Sequence, residues 1–175
     1  MPNYDIFDES RYFNSASNWD LIPFKGYQIG VTICEDMWEA EYEITPIRSL
    51  KQKGATLLIN ISASPFECTK EAKRLAICQS HAKQHKIPLI MVNQVGANDD
   101  LIFDGNSLII NKEGILTHQL KAFEPEFQTI DLELENESSS LNTKTDTNEK
   151  FYKALVLGIK DYANSPQMKL ILAKY

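Results

Sequence analysis

Gly30-Val31-Thr32-Ile33-Cys34-Glu35-Asp36-Met37-Trp38 is a β-branched run that stops on a cysteine followed by two carboxylates and a tryptophan. From Tyr27 to Ile33 the chain is uncharged and rich in Ile, Val and Thr, the composition of a buried strand, and Glu35-Asp36 marks where it leaves the sheet. A cysteine at such a strand-to-turn elbow projects its sulfur from the sheet edge, where the N–H groups that follow can receive an oxyanion. Cys34 is the candidate nucleophile and Glu35 the elbow residue beside the oxyanion position. Both carboxylates are expected to orient the loop instead of serving as acid and base. Composition alone leaves Cys34 open to a second reading, as a small buried hydrophobe.

Outward from that strand, a helix is expected from about Thr45 to Lys53, stopped by Gly54, and a buried strand from Ala55 to Ile61. Strand, helix, strand implies a parallel crossover. A helix from Cys68 to Lys86, with Ala72, Leu75, Ala76, Gln79 and Ala82 on one face, and a strand at Pro88 to Asn93 repeat the unit. Hairpins follow: Asn106 to Ile110, a turn at Asn111 to Gly114, Ile115 to Leu120, and Phe127 to Leu134. The fold class is α/β. Met1 to Pro23, polar and aromatic without a period, reads as a loop. Glu135 to Asn148 has linker composition. Beyond it Phe151, Ala154, Leu155, Ile159 and Tyr162 fall at helical spacing and form a stripe in need of a partner surface. Met168 to Ala173 looks like the start of a strand.

With 43% hydrophobic and 24% charged residues among 175, the chain has ordinary globular composition. A net charge of −6 with scattered Lys and Arg argues against nucleic acid or an anionic membrane as partner. No apolar run approaches 18 residues and no leader pattern opens the chain, so the expected location is the cytoplasm. Three cysteines at positions 34, 68 and 78 match neither a disulfide framework nor a zinc pattern. His81 and His85, four apart on one helical face, read as a solvated face and not as a metal pair.

The order of landmarks resembles the nitrilase, or carbon-nitrogen hydrolase, superfamily, and within it the amidotransferase domain of glutamine-dependent NAD synthetases. Pro2-Asn3-Tyr4, Ile6 to Glu9 and Arg11-Tyr12-Phe13 are similar to the segment that follows the family's catalytic lysine. Ile33 to Trp38 looks like its nucleophile elbow. Asn60-Ile61-Ser62-Ala63-Ser64-Pro65-Phe66, with Lys70 six residues past Ser64, is similar to the glutamine-binding loop. Asn93 to Asp99, then Phe103 to Ser107 with Asn111 and Gly114, resemble two further motifs.

The resemblance implies the later part of a four-layer αββα sandwich over residues 1–134, a linker over 135–148, and the start of an ATP-binding synthetase domain over 149–175. It implies Cys34 as nucleophile and Tyr4, Ser64 and Lys70 as glutamine contacts. Ser64 and Lys70 read without it could simply cap and solvate the helix after them. The family's triad also holds a Glu and a Lys that normally lie upstream of the Pro-Asn-Tyr segment, and its pyrophosphate loop lies downstream. The expectation is therefore an internal piece of a longer, homo-oligomeric enzyme, inactive by itself, with no cofactor or metal of its own; ATP and Mg²⁺ would serve the synthetase part. Two alternatives stand beside it: a stand-alone amidase of the superfamily, and a non-catalytic module that pairs with a separate N-terminal half.

Overall fold

The computed structural model describes residues 11–14, 16, 18–38, 45–132 and 146–164. Its main sheet has six strands in the order β1-β2-β3-β4-β7-β8: β1 (Ile22–Phe24), β2 (Tyr27–Ile33), β3 (Leu57–Ser62), β4 (Leu89–Asn93), β7 (Leu108–Ile110) and β8 (Leu116–Gln119). β2, β3 and β4 are parallel, joined through α1 (Pro46–Gln52) and α2 (Lys70–His85), while the outer pairings are antiparallel. Both expected crossovers are present. A separate hairpin, β5 (Val95–Asn98) with β6 (Leu101–Asp104), stands beside the sheet.

Strand parity decides what the sheet buries. On β3 and β4 the residues Leu58, Leu89 and Met91 join Ile47 and Leu50 of α1 and Cys78 and Ala82 of α2 in one core. Helix α1 lies close on β2: a Cβ on Gly30 would sit 3.1 Å from side-chain carbons of both Leu50 and Leu58, so glycine lets the two elements approach.

Four expectations need correction. The buried stripe of α2 is Arg74, Cys78, Ala82 and His85, while Ala72 and Ala76 are exposed. His81 and His85 are not a solvated face, because their rings stack at 6.0 Å and His81 Nε2 lies 2.7 Å from the Met37 carbonyl. Residues 127–132 form no strand, and Phe127 is open to solvent. Part of the stretch read as a loop forms β1, which pairs with β2 through a Lys25-Gly26 turn with φ of 46° and 87° at its two central residues.

The last described element, α3 (Thr147–Asn164), packs on β5 and β6. It does so through Ala154, Gly158 against Ile102, Asp161 accepting from the Ala97 N–H at 2.8 Å, and Phe151 edge-on to Phe66 at 6.2 Å. Leu155, Ile159 and Tyr162 of the expected stripe remain exposed. Residues 133–145 and 165–175, which carry most of the linker and the terminal strand expectation, lie outside the described residues.

Candidate active site

The C-terminal ends of β2, β3 and β4 meet at one edge of the sheet. Cys34 opens a 3-10 turn, Cys34–Met37, directly after β2, and its φ is 44°, a left-handed value that is uncommon for a residue with a side chain. Such strain persists only where neighbours impose it. Here the Ile33 N–H donates to Asp36 Oδ2 at 2.9 Å, the Trp38 N–H donates to the Glu35 carbonyl at 2.9 Å, and Asn60 Nδ2 donates to the Cys34 carbonyl at 3.3 Å. Asp36 thus orients the loop, as its position suggests.

Asn60 is fixed in turn. Its Nδ2 also donates to Thr32 Oγ1 at 3.0 Å, and its Oδ1 accepts from the Ser62 hydroxyl. Thr32, Asn60 and Ser62 are all buried and alternate with the apolar residues of β2 and β3, so the core face of these two strands turns polar toward their C-terminal ends.

Cys34 is half-buried. Burial pushes the Cys34 thiol up from its ordinary value. The Ala63 N–H, the Lys70 ammonium and Ser62 pull it back, while the Glu35 carboxylate pushes it further up. The side chain of Glu35 therefore opposes the thiolate, and any service to an oxyanion would come from backbone.

Lys70 is the first residue of α2, and its charge acts on Cys34. Ser64 is 3% exposed, with its backbone N–H donating to Asn93 Oδ1 at 2.9 Å. Cys34 and Glu35 in the turn after β2, Ser64 in the loop after β3 and Lys70 at the start of α2 thus follow the C-terminal ends of neighbouring strands; Tyr4 lies outside the described residues. Reading the sequence did not single out Asn60, Ser62 or Asn93. The available signal was parity, since in Leu57–Ser62 and Leu89–Asn93 these polar residues stand where the alternation calls for core. Among the described residues, no group of three or more His, Cys, Asp and Glu could hold a metal ion.

A model of the family described as carbon-nitrogen hydrolase matches residues 2–139. The glutamine-dependent NAD(+) synthetase of Synechocystis sp. is 41% identical over 174 residues, an alignment covering 93% of this chain and 31% of that protein. The enzyme of the same description from Acinetobacter baylyi is 33% identical, with 93% and 30% covered. Among solved structures, the glutamine-dependent NAD+ synthetase of Acinetobacter baumannii in complex with adenosine diphosphate superposes with a TM-score of 0.80 at 29% identity, over 93% of this chain and 31% of that one. A carbon-nitrogen hydrolase from Helicobacter pylori G27 gives 0.59 at 28% identity, over 69% and 46%. The chain spans about a third of the length of the synthetases it matches. The family match runs through the whole main sheet, its two crossover helices and the strained elbow, and on that ground the chain belongs to the carbon-nitrogen hydrolase family.

Proposed function

We propose that this chain is the nucleophile-bearing part of a glutamine-hydrolysing domain that supplies ammonia for the amidation of deamido-NAD. Cys34 attacks the side-chain amide carbon of glutamine, the amide nitrogen leaves as ammonia, and water then hydrolyses the γ-glutamyl thioester. Lys70 and Ser64 hold the substrate, with Tyr4 from the preceding segment. The observation that carries this reading is the left-handed Cys34 at the end of β2, at the sheet edge where β3 ends in buried Asn60 and Ser62 and Asn60 holds the Cys34 carbonyl. Support also comes from relatives described as glutamine-dependent NAD synthetases.

Among the described residues, the side-chain charges that act on the Cys34 thiol are those of Glu35 and Lys70, and the first opposes the thiolate. A general base contributes roughly 10² to 10⁴ in rate. We assign that base and a second lysine to residues outside this sequence, so the chain alone should turn over poorly. The sheet face opposite the helices fits a second layer: Ile33, Ile61 and Val92 stand side by side on neighbouring strands at 66%, 54% and 47% exposure. An upstream half carrying the base is its partner in this reading. ATP and Mg²⁺ serve a synthetase part beyond it, in a cytoplasmic homo-oligomer. No helix among the described residues is long and apolar enough to cross a membrane.

The test is ammonia release from glutamine by this chain and its Cys34→Ala variant, each alone and co-expressed with the N-terminal half of a relative. We expect release only from the co-expressed pair that keeps Cys34. Cys34-dependent turnover by the chain alone would overturn the assignment of the base, and a co-purifying pair that releases no ammonia would overturn the glutaminase reading.

A further inference from the structure

His81 and His85 stand one turn apart near the end of α2, with their rings 6.0 Å apart and stacked 13° from parallel. His81 Nε2 lies 2.7 Å from the Met37 carbonyl. A carbonyl only accepts, so this nitrogen carries the proton and the ring acts as an Nε2–H donor. Nδ1 of the same ring is buried and has no hydrogen-bond partner among the described residues, which suits a bare lone pair better than a second N–H. Met37 closes the 3-10 turn that Cys34 opens, and it is 1% exposed within the core. The bond therefore ties α2 to the exit of the elbow. Its entry is held separately, by the Asn60 amide on the Cys34 carbonyl and the Asp36 carboxylate on the Ile33 N–H. Lys70 opens the same helix, and eleven residues at about 100° each make about three whole turns, so Lys70 and His81 share one side of α2.

We propose that His81 is a positioning residue for the nucleophile: its Nε2–H, steadied by the stack on His85, pins the Met37 carbonyl and keeps the elbow closed around a left-handed Cys34. A φ of 44° on a residue with a side chain is costly, so the turn relaxes wherever its fixings are removed. Fixing the exit from α2 also sets the helix that carries Lys70 against the turn that carries Cys34. This deepens the proposed function and rests on its reading of Cys34 as the nucleophile.

The test is alkylation of the folded chain by iodoacetamide at about pH 8, where an ordinary imidazole is neutral, with the Cys34 and Cys78 peptides followed by mass spectrometry. Half-buried Cys34 reacts through local opening of its turn, whereas fully buried Cys78 reacts only as the fold opens and so reports general loss of stability. His81→Leu removes the donor and should speed Cys34 roughly fivefold relative to Cys78, the ratio that one ordinary hydrogen bond is worth. His81→Gln places an amide N–H where Nε2 stood and should return the Cys34 rate to near wild type. If His81→Leu does not melt cooperatively, His81→Asn replaces it, because its amide is too short to reach Met37. An unchanged Cys34 rate in the folded Leu or Asn variant, or equal acceleration of Cys34 and Cys78, would reduce His81 to a packing residue and overturn the proposal. So would a Gln variant no nearer to wild type than these. The imidazole nitrogen spectrum of the unaltered chain checks the bond itself: His81 should be the Nε2–H tautomer, and the Nδ1–H tautomer would overturn it. Alkylation needs no glutamine, so this result stands apart from the outcome of the ammonia assay.

Discussion

The Ile33 N–H donates to the Asp36 carboxylate at 2.9 Å, and this bond closes a short loop around Cys34 while the cysteine holds its φ of 44°. It works as a helix cap does, with a side-chain oxygen satisfying a backbone donor at the first turn. The backbone geometry at Cys34 is thereby tied to the Asp36 side chain.

Asp36→Ala should cost about 1 kcal/mol, the usual worth of such a cap, and release Cys34 toward negative φ. Asp36→Asn keeps an oxygen in place and should lose less than half as much. Thermal melts of the two variants check the cost. Reaction of Cys34 with iodoacetamide checks the link to the site: it should change in the Ala variant and stay near wild type in the Asn variant.

Arg74 and Asp104 form a forked ion pair about 2–3% exposed, joining α2 to the end of β6. Removing one partner from such a pair leaves the other charged and desolvated, at about 3–5 kcal/mol. Arg74→Met should therefore destabilise far more than a surface change, while Arg74→Met with Asp104→Leu should recover much of the loss. Denaturant titration of the single and double variants measures the difference; equal losses would show that the pair's charge is not what holds the two elements.

That pair also explains where reading the sequence succeeded and where it stopped. Tyr27 to Ile33 was legible because an uninterrupted β-branched run ending in a polar break has one structural meaning. The parallel order of β2, β3 and β4 followed from the helical segments between them. The face of α2 was not legible, because counting apolar positions selects Ala72 and Ala76, whereas Arg74 is buried by a carboxylate 30 residues away. The β5 and β6 hairpin escaped for a related reason: it is short, interrupted by Gly96, and turns through Asp99 at φ 50°, a conformation that sequence signals only weakly for aspartate. At the site, Cys34 announced itself by position, while Asn60 and Asn93 matter through partners that only folding brings near.

Cys78 gives a contrast within the same chain. It is fully buried in the core, and burial pushes its thiol up to about 12. A raised value in the folded state means its contribution to stability is complete below the unfolded thiol value, about 8.5, and is lost as the pH climbs toward about 12. Stability should thus fall above pH 8.5, and Cys78→Ala should lessen that slope while lowering stability at neutral pH through the cavity it leaves. In alkylation time courses at pH 8 on the folded chain, Cys34 should react before Cys78, and Cys78 only as the fold opens.

Lys150 of α3 pairs with Glu71 in the first turn of α2, next to Lys70, so the last described helix is fastened beside the candidate substrate loop. Burial alone would push the Glu71 carboxyl up, but the Lys150 hydrogen bond and charge, with Asn106 and Arg74, hold it below the ordinary carboxylate value. A depressed value means that the stabilisation is present above the unfolded carboxyl value, about 4.3, and disappears as the pH falls through the lower folded value. Lys150→Met removes the cation, leaving desolvation to raise Glu71, so α3 should begin to loosen at a higher pH. The expected loss is about 1 kcal/mol for a partly buried pair. Hydrogen exchange of the α3 amides and of the Ala97 N–H, which Asp161 of the same helix accepts, should rise together in this variant below pH 5. Exchange that rises in α3 while Ala97 stays protected would mean that the helix frays instead of undocking, and would separate Lys150 from the seating of α3 on the hairpin.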